Sequence, residues 1–360
     1  MKQKVLKGKQ RNALYLLSFT PAIAVILGNL AGSWYTLSNI IYTLGILGIL
    51  EWVTAPEKSN HATKSENWFT NIILFMHVPS QLACIASLFY GIHSEAIQCG
   101  WVVAAAISTG INSGSSAMVV AHELIHRKSV NAQLGTKILL FLAGNIYFYV
   151  QHIKIHHKWV GTHRDPTTAR YGENLYFYFF RSVFQQIVGA YEMEKQRLQH
   201  YATPFGDGNY VVRQFLMLLF FLGIVTVLGG LWVLAAFVIH FIMATFVLEY
   251  VNYIQHYGLT RHGSERVTEQ HSWDSNQWIS RFVLVDLSRH SDHHYHASKP
   301  FHTLEHQEKA NQLPSGYAGM FFVAAIPFLW RKLIHPIIDA HELANEAEEN
   351  ETKMELELEY

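Results

Sequence analysis

The chain has 360 residues, and 27 lysines and arginines balance 27 aspartates and glutamates, so its net charge of zero gives no indication of nucleic-acid binding. Hydrophobic residues make up 50% of the chain and charged residues only 15%, against about 25% in soluble domains, which indicates a membrane protein. The only cysteines, Cys84 and Cys99, lie in apolar stretches, which excludes a disulfide framework and any cysteine-bound zinc or iron–sulfur site.

Six membrane-spanning helices are predicted, since a span needs about 20 mostly apolar residues. Four runs without charge precede residue 122, at 13–32, 33–50, 68–92 and 96–121. A fifth run, 214–248, is too long for one span, so Gly229 and Gly230 at its middle predict a tight hairpin of two helices. Gly110 and Gly114 in the fourth span are expected to let neighbouring helices approach closely. Two further runs, 138–150 and 319–330, are too short to cross.

Basic residues near the span ends predict the orientation. Lys2, Lys4, Lys7, Lys9 and Arg11 place the N-terminus in the cytoplasm, and the three expected outside loops contain no lysine or arginine. Because four spans precede residue 122 and six precede residue 251, the polar regions that follow lie on the cytoplasmic side of a cell inner (plasma) membrane. The C-terminus and any site in these two regions are then cytoplasmic as well. The predicted organisation is a cytoplasmic N-terminus (1–12), spans one to four (13–121), a first histidine-rich region (122–213), spans five and six (214–250), a second histidine-rich region (251–341) and an acidic, disordered tail (342–360).

Histidines cluster just beyond the fourth and sixth spans. On a helix, residues three and four apart share a face, so His122/His126, His152/His156 and His290/His293/His294 are each expected to project imidazoles in one direction. Imidazole binds Zn, Cu, Fe and Ni, and nine ligands suit two ions rather than one. The candidate metal ligands are His122, His126, His152, His156, His157, His256, His290, His293 and His294. His296 shares the last tract but is left out of the set.

Other readings of these histidines remain open at this point. The motif His122-Glu-Leu-Ile-His126 also fits a membrane zinc metalloprotease, in which the glutamate acts as general base, although that enzyme leaves the other clusters without a role. A metal transporter needs ionisable ligands inside the spans, where only His77 and His240 lie. Those two are more simply explained as packed, hydrogen-bonded side chains.

Four motifs carry a resemblance to a known family: HELIHR (122–127), HIKIHH (152–157), NYIQHYGL (252–259) and RHSDHHYH with a following PF (289–301). This set is similar to that of the integral-membrane alkane monooxygenases, which belong with the xylene monooxygenases and fatty-acid desaturases to a superfamily of membrane di-iron enzymes. NYIQHYGL separates the alkane and xylene branch from the desaturases. The resemblance covers roughly residues 10–335 and implies an all-α membrane fold.

The resemblance also implies an activity. It points to a non-haem di-iron centre on the nine histidines that uses O₂ to hydroxylate the terminal methyl group of medium-chain alkanes, with no haem, flavin or NAD bound to this chain. The alternative substrates are a xylene-type methyl group, a fatty acyl chain or a terpenoid. Electrons are expected from a separate rubredoxin, or a ferredoxin, with an NAD(P)H-dependent reductase, because the chain has no Cys-x-x-Cys pair to form a rubredoxin of its own.

Carboxylates inside or beside the clusters are expected to accept the second imidazole N–H and so fix each ring. The candidates are Glu123, Asp165, Asp292 and Glu249. His163, which departs from the family pattern, is expected beside the metal ligands or at the surface rather than among them.

Overall fold

A computed structural model describes residues 8–60, 68–199 and 208–358 of the chain, in which nearly all regular secondary structure is helical. In chain order the helices are α1 (Gln10–Ala31), α2 (Ser33–Val53), α3 (Trp68–His93), α4 (Gly100–Ile125), α5 (Val130–Leu142), α6 (148–159), α7 (Leu175–Gln199), α8 (Tyr210–His256), α9 (Trp278–Val283), α10 (His290–Tyr295), α11 (Tyr317–Ala325) and α12 (Pro327–Leu358). Two short strands, β1 (Trp273–Asp274) and β2 (Asn311–Gln312), form a parallel pair.

Helices α1 to α4 and α8 are long and apolar enough to cross a membrane. The longest, α8, breaks at Gly230, whose φ of 77° lies outside the helical region. Phe221 and Phe237 lie on either side of the break, and their ring centroids are 5.4 Å apart. Sixteen residues of straight helix would separate them by about 24 Å. The chain therefore folds back at Gly230 as predicted, and α8 forms two apolar helices, so that α1 to α4 and α8 provide the six predicted candidate spans.

Helices α4 and α8 pack closely because α4 carries glycine at the contact. A Cβ added at Gly110 would lie 2.6 Å from Met243 Cβ, and one at Gly114 would lie 2.5 Å from Val247 Cβ. Both glycines therefore act as predicted, letting two spanning helices approach where a side chain would separate them. The contact brings the ends of α4 and α8, which carry His122 and His256, to the same layer of the molecule.

Outside the spans, α6 and α10 bring further histidines to that layer, and the β1–β2 pair lies beside α10. The short apolar run at 138–150 contributes to α5 and α6, and the run at 319–330 spans the junction of α11 and α12. Helices α11 and α12 are bent by 118° at this junction, which makes the pair a broken span or a re-entrant element.

Two predictions concern the ends of the chain. Helix α12 continues through Leu358, into the acidic segment from residue 342 for which we predict disorder. The physical reason is composition, since alanine, glutamate, leucine, lysine and methionine, which are strong helix formers, dominate this segment. Lys2, Lys4 and Lys7, on which the predicted orientation partly depends, lie outside the described residues.

Candidate metal centre

All nine predicted histidines lie together at the ends of α4 and α8, and they form two groups. Within each group, one nitrogen atom from every histidine lies within 4.8 Å of the others. The five-histidine group contains His122, His126, His152, His157 and His293. The four-histidine group contains His156, His256, His290 and His294. Among the described residues, no carboxylate or cysteine belongs to either group.

The ring nitrogens of each group face one another at short range. In the five-histidine group, the Nε2 atoms of His126, His152 and His157 are 3.0 to 3.1 Å apart. In the four-histidine group, the Nε2 atoms of His294 and His290 are 2.9 Å apart, and that of His156 lies 3.1 Å from that of His294. The Nε2 atoms of His256 and His290 are also 3.1 Å apart.

This spacing fits a bound metal ion better than it fits mutual hydrogen bonding. A neutral imidazole has one N–H and one acceptor nitrogen, so three nitrogens that face one point cannot all satisfy one another. Ligands at right angles around an ion, each ~2.1 Å from it, lie about 3 Å apart. His293 supports the same conclusion, because both of its buried ring nitrogens are without a hydrogen-bond partner in the described chain. The residues present therefore fit two metal ions.

The pairing of the histidines differs from the prediction at α6. His152 and His156 were expected to share a face, but His152 and His157 lie in one group and His156 in the other. The cause is that residues His152–His156 form a π-helical turn, whose i→i+5 hydrogen bonds bring residues five apart onto one face. One short helix thus supplies ligands to both groups.

Helix α10 also serves both groups. His290 and His294 share the four-histidine group at the i,i+4 spacing that was predicted, whereas His293 points to the five-histidine group. Asp274 of β1 fixes the start of this helix, because its carboxylate accepts hydrogen bonds from the backbone N–H of Ser291 at 2.7 Å and from the Ser291 hydroxyl. The sequence offered no signal for Asp274, which lies 16 residues before His290.

Burial favours the neutral form of imidazoles in both groups, which is the state that binds metal. Burial, with a smaller contribution from His156, lowers the pKa of His126 to about 4. Burial followed by neighbouring imidazoles lowers five further pKa values well below the usual range, those of His152, His157, His290, His293 and His294. Imidazoles in two such compact groups are a strong donor set for a transition metal.

Asp165 is the one predicted carboxylate that contacts a histidine of either group in the described chain. Its Oδ2 lies 3.0 Å from His156 Nδ1, and the Thr167 hydroxyl lies 2.7 Å from the same nitrogen. Burial raises the pKa of Asp165, but His156 and hydrogen bonds outweigh burial and hold the pKa below its ordinary value. The ionised carboxylate can therefore accept the His156 Nδ1–H, which directs Nε2 into the four-histidine group.

The other three predicted carboxylates have different partners, which corrects their assignment. Glu123 accepts hydrogen bonds from Arg127, at 2.8 Å from Nη2. Glu249 accepts from Ser182 and Gln186 and so ties α8 to α7. Asp292 binds Lys299 at 2.7 Å, Gln307, the backbone N–H of Glu305 and the excluded His296. Glu123 and Asp292 each stand next to a ligand in sequence, but on a helix the adjacent residue points about 100° away. Glu249 lies seven residues before His256, and its partners are on α7.

Histidines outside the nine have local roles. Ser18 and Ser116 hydroxyls lie 2.9 and 3.0 Å from the two ring nitrogens of His77, and the Ser113 hydroxyl lies 2.7 Å from His240 Nε2. Both are buried and hydrogen-bonded, as predicted. His163 is exposed on the loop after α6. The zinc-protease interpretation is disfavoured because Glu123, its general base, pairs with Arg127 instead of facing the histidines.

Two buried cavities adjoin the histidines and share one wall. The first cavity, of about 40 Å³, is lined by His122, His152, His156 and His290 and by aliphatic side chains that include Met118, Leu248 and Leu287. The second cavity, of about 50 Å³, lies among α2, α4, α8 and α11 and is lined mostly by apolar residues. The side chains that line both are Val251, Leu284 and Tyr317.

A third, open cavity of about 750 Å³ lies beside the four-histidine group, and we name it the basic cavity. Asp165 lines it and contacts His156 of that group. Among the described residues of this lining, Asp165 is the one carboxylate, against four arginines, Arg164, Arg170, Arg181 and Arg261, of which Arg181 is paired with Glu173. Arg164 lies 4.5 Å over the ring of Trp159, two residues after His157. The cavity therefore presents positive charge close to the metal ligands.

Comparison with known proteins gives consistent matches. Residues 99–324 match the model of the fatty acid desaturase family. Alkane 1-monooxygenase 1 of Pseudomonas aeruginosa is 36% identical over 67% of this chain and 64% of its own length, slightly under two thirds. Alkane 1-monooxygenase 2 of Alcanivorax borkumensis is 30% identical over 83% of this chain and 82% of its own length. The xylene/toluene monooxygenase hydroxylase component of Pseudomonas putida is 25% identical over 89% of this chain and 86% of its own length.

Proposed function

Because the chain belongs to the alkane 1-monooxygenase family, we propose that it hydroxylates the terminal methyl group of medium-chain n-alkanes at two iron ions held by the nine histidines. The observation that carries the proposal is that histidines of both groups line the first cavity, whose other lining residues are mostly aliphatic. An enclosed apolar cavity suits a substrate that has no polar group to recognise.

The reaction breaks one C–H bond and forms one C–O bond, while the second oxygen atom of O₂ leaves as water. Two electrons and two protons from an external donor complete the balance. When bound, the iron pair supplies the oxidising power towards an unactivated C–H bond, which no amino-acid side chain has.

The side chains of this chain provide position and exclusion of water. Leu248, Val251 and Leu287 line the first cavity together with the imidazoles and would contact an alkyl chain bound there. Asp165 and Thr167 hold the His156 ring in one orientation, so that its Nε2 keeps a lone pair for the metal. The enclosed cavity keeps bulk water away from the reacting carbon.

A separate electron carrier, a rubredoxin or a ferredoxin with its NAD(P)H-dependent reductase, is part of this proposal. The chain has no cysteine pair that could hold a redox centre of its own. The four arginines of the basic cavity favour an acidic carrier, and docking there would place its redox centre close to the four-histidine group. We assign this face to the cytoplasmic side of the plasma membrane, because Lys158, Arg164 and Arg261 lie on it.

A second candidate substrate is an aromatic methyl group, as in the xylene/toluene relative. The first cavity would receive either substrate, so a direct comparison of product formation from alkanes and from xylene distinguishes the two candidates. The two alkane-oxidising relatives are more similar to this chain, which favours the alkane.

The test uses the full-length, iron-loaded protein in membranes with a rubredoxin, its reductase and NADH. It is given n-alkanes from pentane to hexadecane, and in parallel xylene and fatty acids. We expect 1-alkanols from the alkanes and a ratio of about two Fe per chain. Absence of alkanol from every alkane, or zinc in place of iron at stoichiometric amount, would contradict the proposal.

A further inference from the structure

The turn between α9 and α10 has an unusual backbone. Val285 and Asp286 have φ values of 45° and 55°, in the left-handed region. The backbone N–H of Leu287 donates to the carbonyl of Leu284 at 3.0 Å and closes the turn. Positive φ at both central residues defines a mirror-image turn that favours Gly, Asn and Asp. Asp286 is compatible with it, but a β-branched valine at the first central position is strained.

Polar contacts from two helices hold this turn in place. The Asp286 carboxylate accepts hydrogen bonds from Arg11 Nη2 at 2.6 Å and from Arg281 Nε at 2.7 Å. The hydroxyl of Tyr15 donates to the same carboxylate. Arg11 and Tyr15 belong to α1, while Arg281 belongs to α9, and all of these side chains are buried. Strain that persists under such anchoring is typical of functional sites.

The first and last residues of the turn line the two buried cavities. Leu284 lines both the first and the second cavity, and Leu287 lines the first cavity together with His122 and His290. The backbone hydrogen bond holds the two residues close together, and both side chains line the first cavity. We call the part of the lining that they form the Leu284–Leu287 wall, and it ends three residues before the first ligand of α10.

We propose that the Leu284–Leu287 wall determines which carbon atom of the substrate is oxidised, and that Asp286 is the positioning residue that holds this wall. A chain lying against both leucines has its lateral position fixed relative to the imidazoles, so the terminal carbon is presented. Loss of either leucine side chain lets the chain slide or bend, and the next carbon then competes for oxidation. This inference rests on the proposed hydroxylase activity.

The experiment measures the ratio of 2-alkanol to 1-alkanol from octane, in membranes that contain the full-length protein. For Leu284→Ala and Leu287→Ala we expect the ratio to rise by roughly two- to tenfold, in line with the discrimination that single hydrophobic contacts give. The matched control is Leu139→Ala, since Leu139 is fully buried in the same apolar core as Leu287 but is not among the lining residues of either cavity. Its ratio should equal that of the wild type even if its activity falls.

The positioning role of Asp286 is tested through Tyr15→Phe, which removes one hydrogen bond to the carboxylate and keeps both ion pairs. We expect a smaller rise in the 2-alkanol fraction. Tyr253→Phe is the control, because it removes the hydroxyl of another buried tyrosine, which donates to the Glu173 carbonyl at 2.8 Å and not to Asp286. A merely structural role for Tyr15 would change yield and not the product ratio.

The possible results separate the two levels of the proposal. A wild-type protein that forms no alkanol contradicts the proposed function itself. A wild type that forms 1-alkanol, with an unchanged ratio in both leucine variants, overturns the inference about the wall. A changed ratio in the leucine variants together with an unchanged ratio in Tyr15→Phe overturns the role of the Asp286 contacts alone.

Discussion

The two histidine groups use the same side chain but differ in their surroundings. All members of the four-histidine group are buried, and two of them contact polar side chains through their second nitrogen, His156 at Asp165 and His256 at Ser272. The five-histidine group includes His126 and His157, which are partly exposed. Within the described chain, no carboxylate contacts a ring of that group.

The difference shows how one donor type can make two unlike sites. A ring fixed through both nitrogens has one orientation, so two rings of the four-histidine group, His156 and His256, are preorganised for its ion. Rings without such partners can rotate, and partial exposure lets water and small solutes approach. We therefore expect the ion of the five-histidine group to exchange more readily, and each of the following predictions tests that contrast.

The largest effects are expected from removing one ligand of each group. His156→Ala and His157→Ala are adjacent in sequence but belong to different groups, so each should lose about one of the two irons and reduce alkanol formation by at least about a hundredfold. Elemental analysis and product formation measure these losses, and Mössbauer spectra should show a different iron missing in each variant. His163→Ala, on the exposed loop after α6, should keep both irons. Loss of iron in His163→Ala alone would refute the ligand set.

Asp165→Asn should have the next largest effect. The neutral amide is a weaker acceptor for the His156 Nδ1–H than the carboxylate, so we expect a loss of activity of about ten- to a hundredfold, and weaker iron binding at the four-histidine group. Asp292→Asn is the matched control. Asp292 is also buried and lies between His290 and His293 in sequence, but its carboxylate binds Lys299 and Gln307. An equal or larger loss in Asp292→Asn would reverse this assignment.

Removal of iron by a chelator tests the contrast without mutation. The five-histidine group is open at His126 and His157, so its ion should leave about ten times faster than the ion of the enclosed group, and release should be biphasic. Iron content against time measures this, and loss of both ions at a single rate would contradict it. In Asp165→Asn the slow phase should become faster while the fast phase stays unchanged.

Much of this site could be predicted from residue types, but its internal division could not. The nine histidines and the six spans depend on composition and spacing, which a linear sequence displays. The separation of His156 from His152 depends on the π-helical turn, because regular α-helical spacing predicts the opposite pairing. The position of Asp165 beside a ligand motif predicts its contact with His156. The same reasoning predicts a contact for Asp292, whose side chain instead points away from the nine histidines. Direction around a helix decides between two such neighbours, and loop residues such as Asp165 do not follow helical spacing.

The smallest effect concerns the face at which electrons enter. Arg164 lies at the basic cavity beside the four-histidine group, whereas Lys128 is an exposed cation beside another cavity, which His126 of the five-histidine group lines. If an acidic carrier docks at the basic cavity, Arg164→Glu should raise the KM for that carrier by about threefold and weaken its dependence on salt, since rim charges act mainly on association. Lys128→Glu should leave both unchanged. A larger effect of Lys128→Glu would move the docking face to the five-histidine group, so that electrons would reach the more open site first.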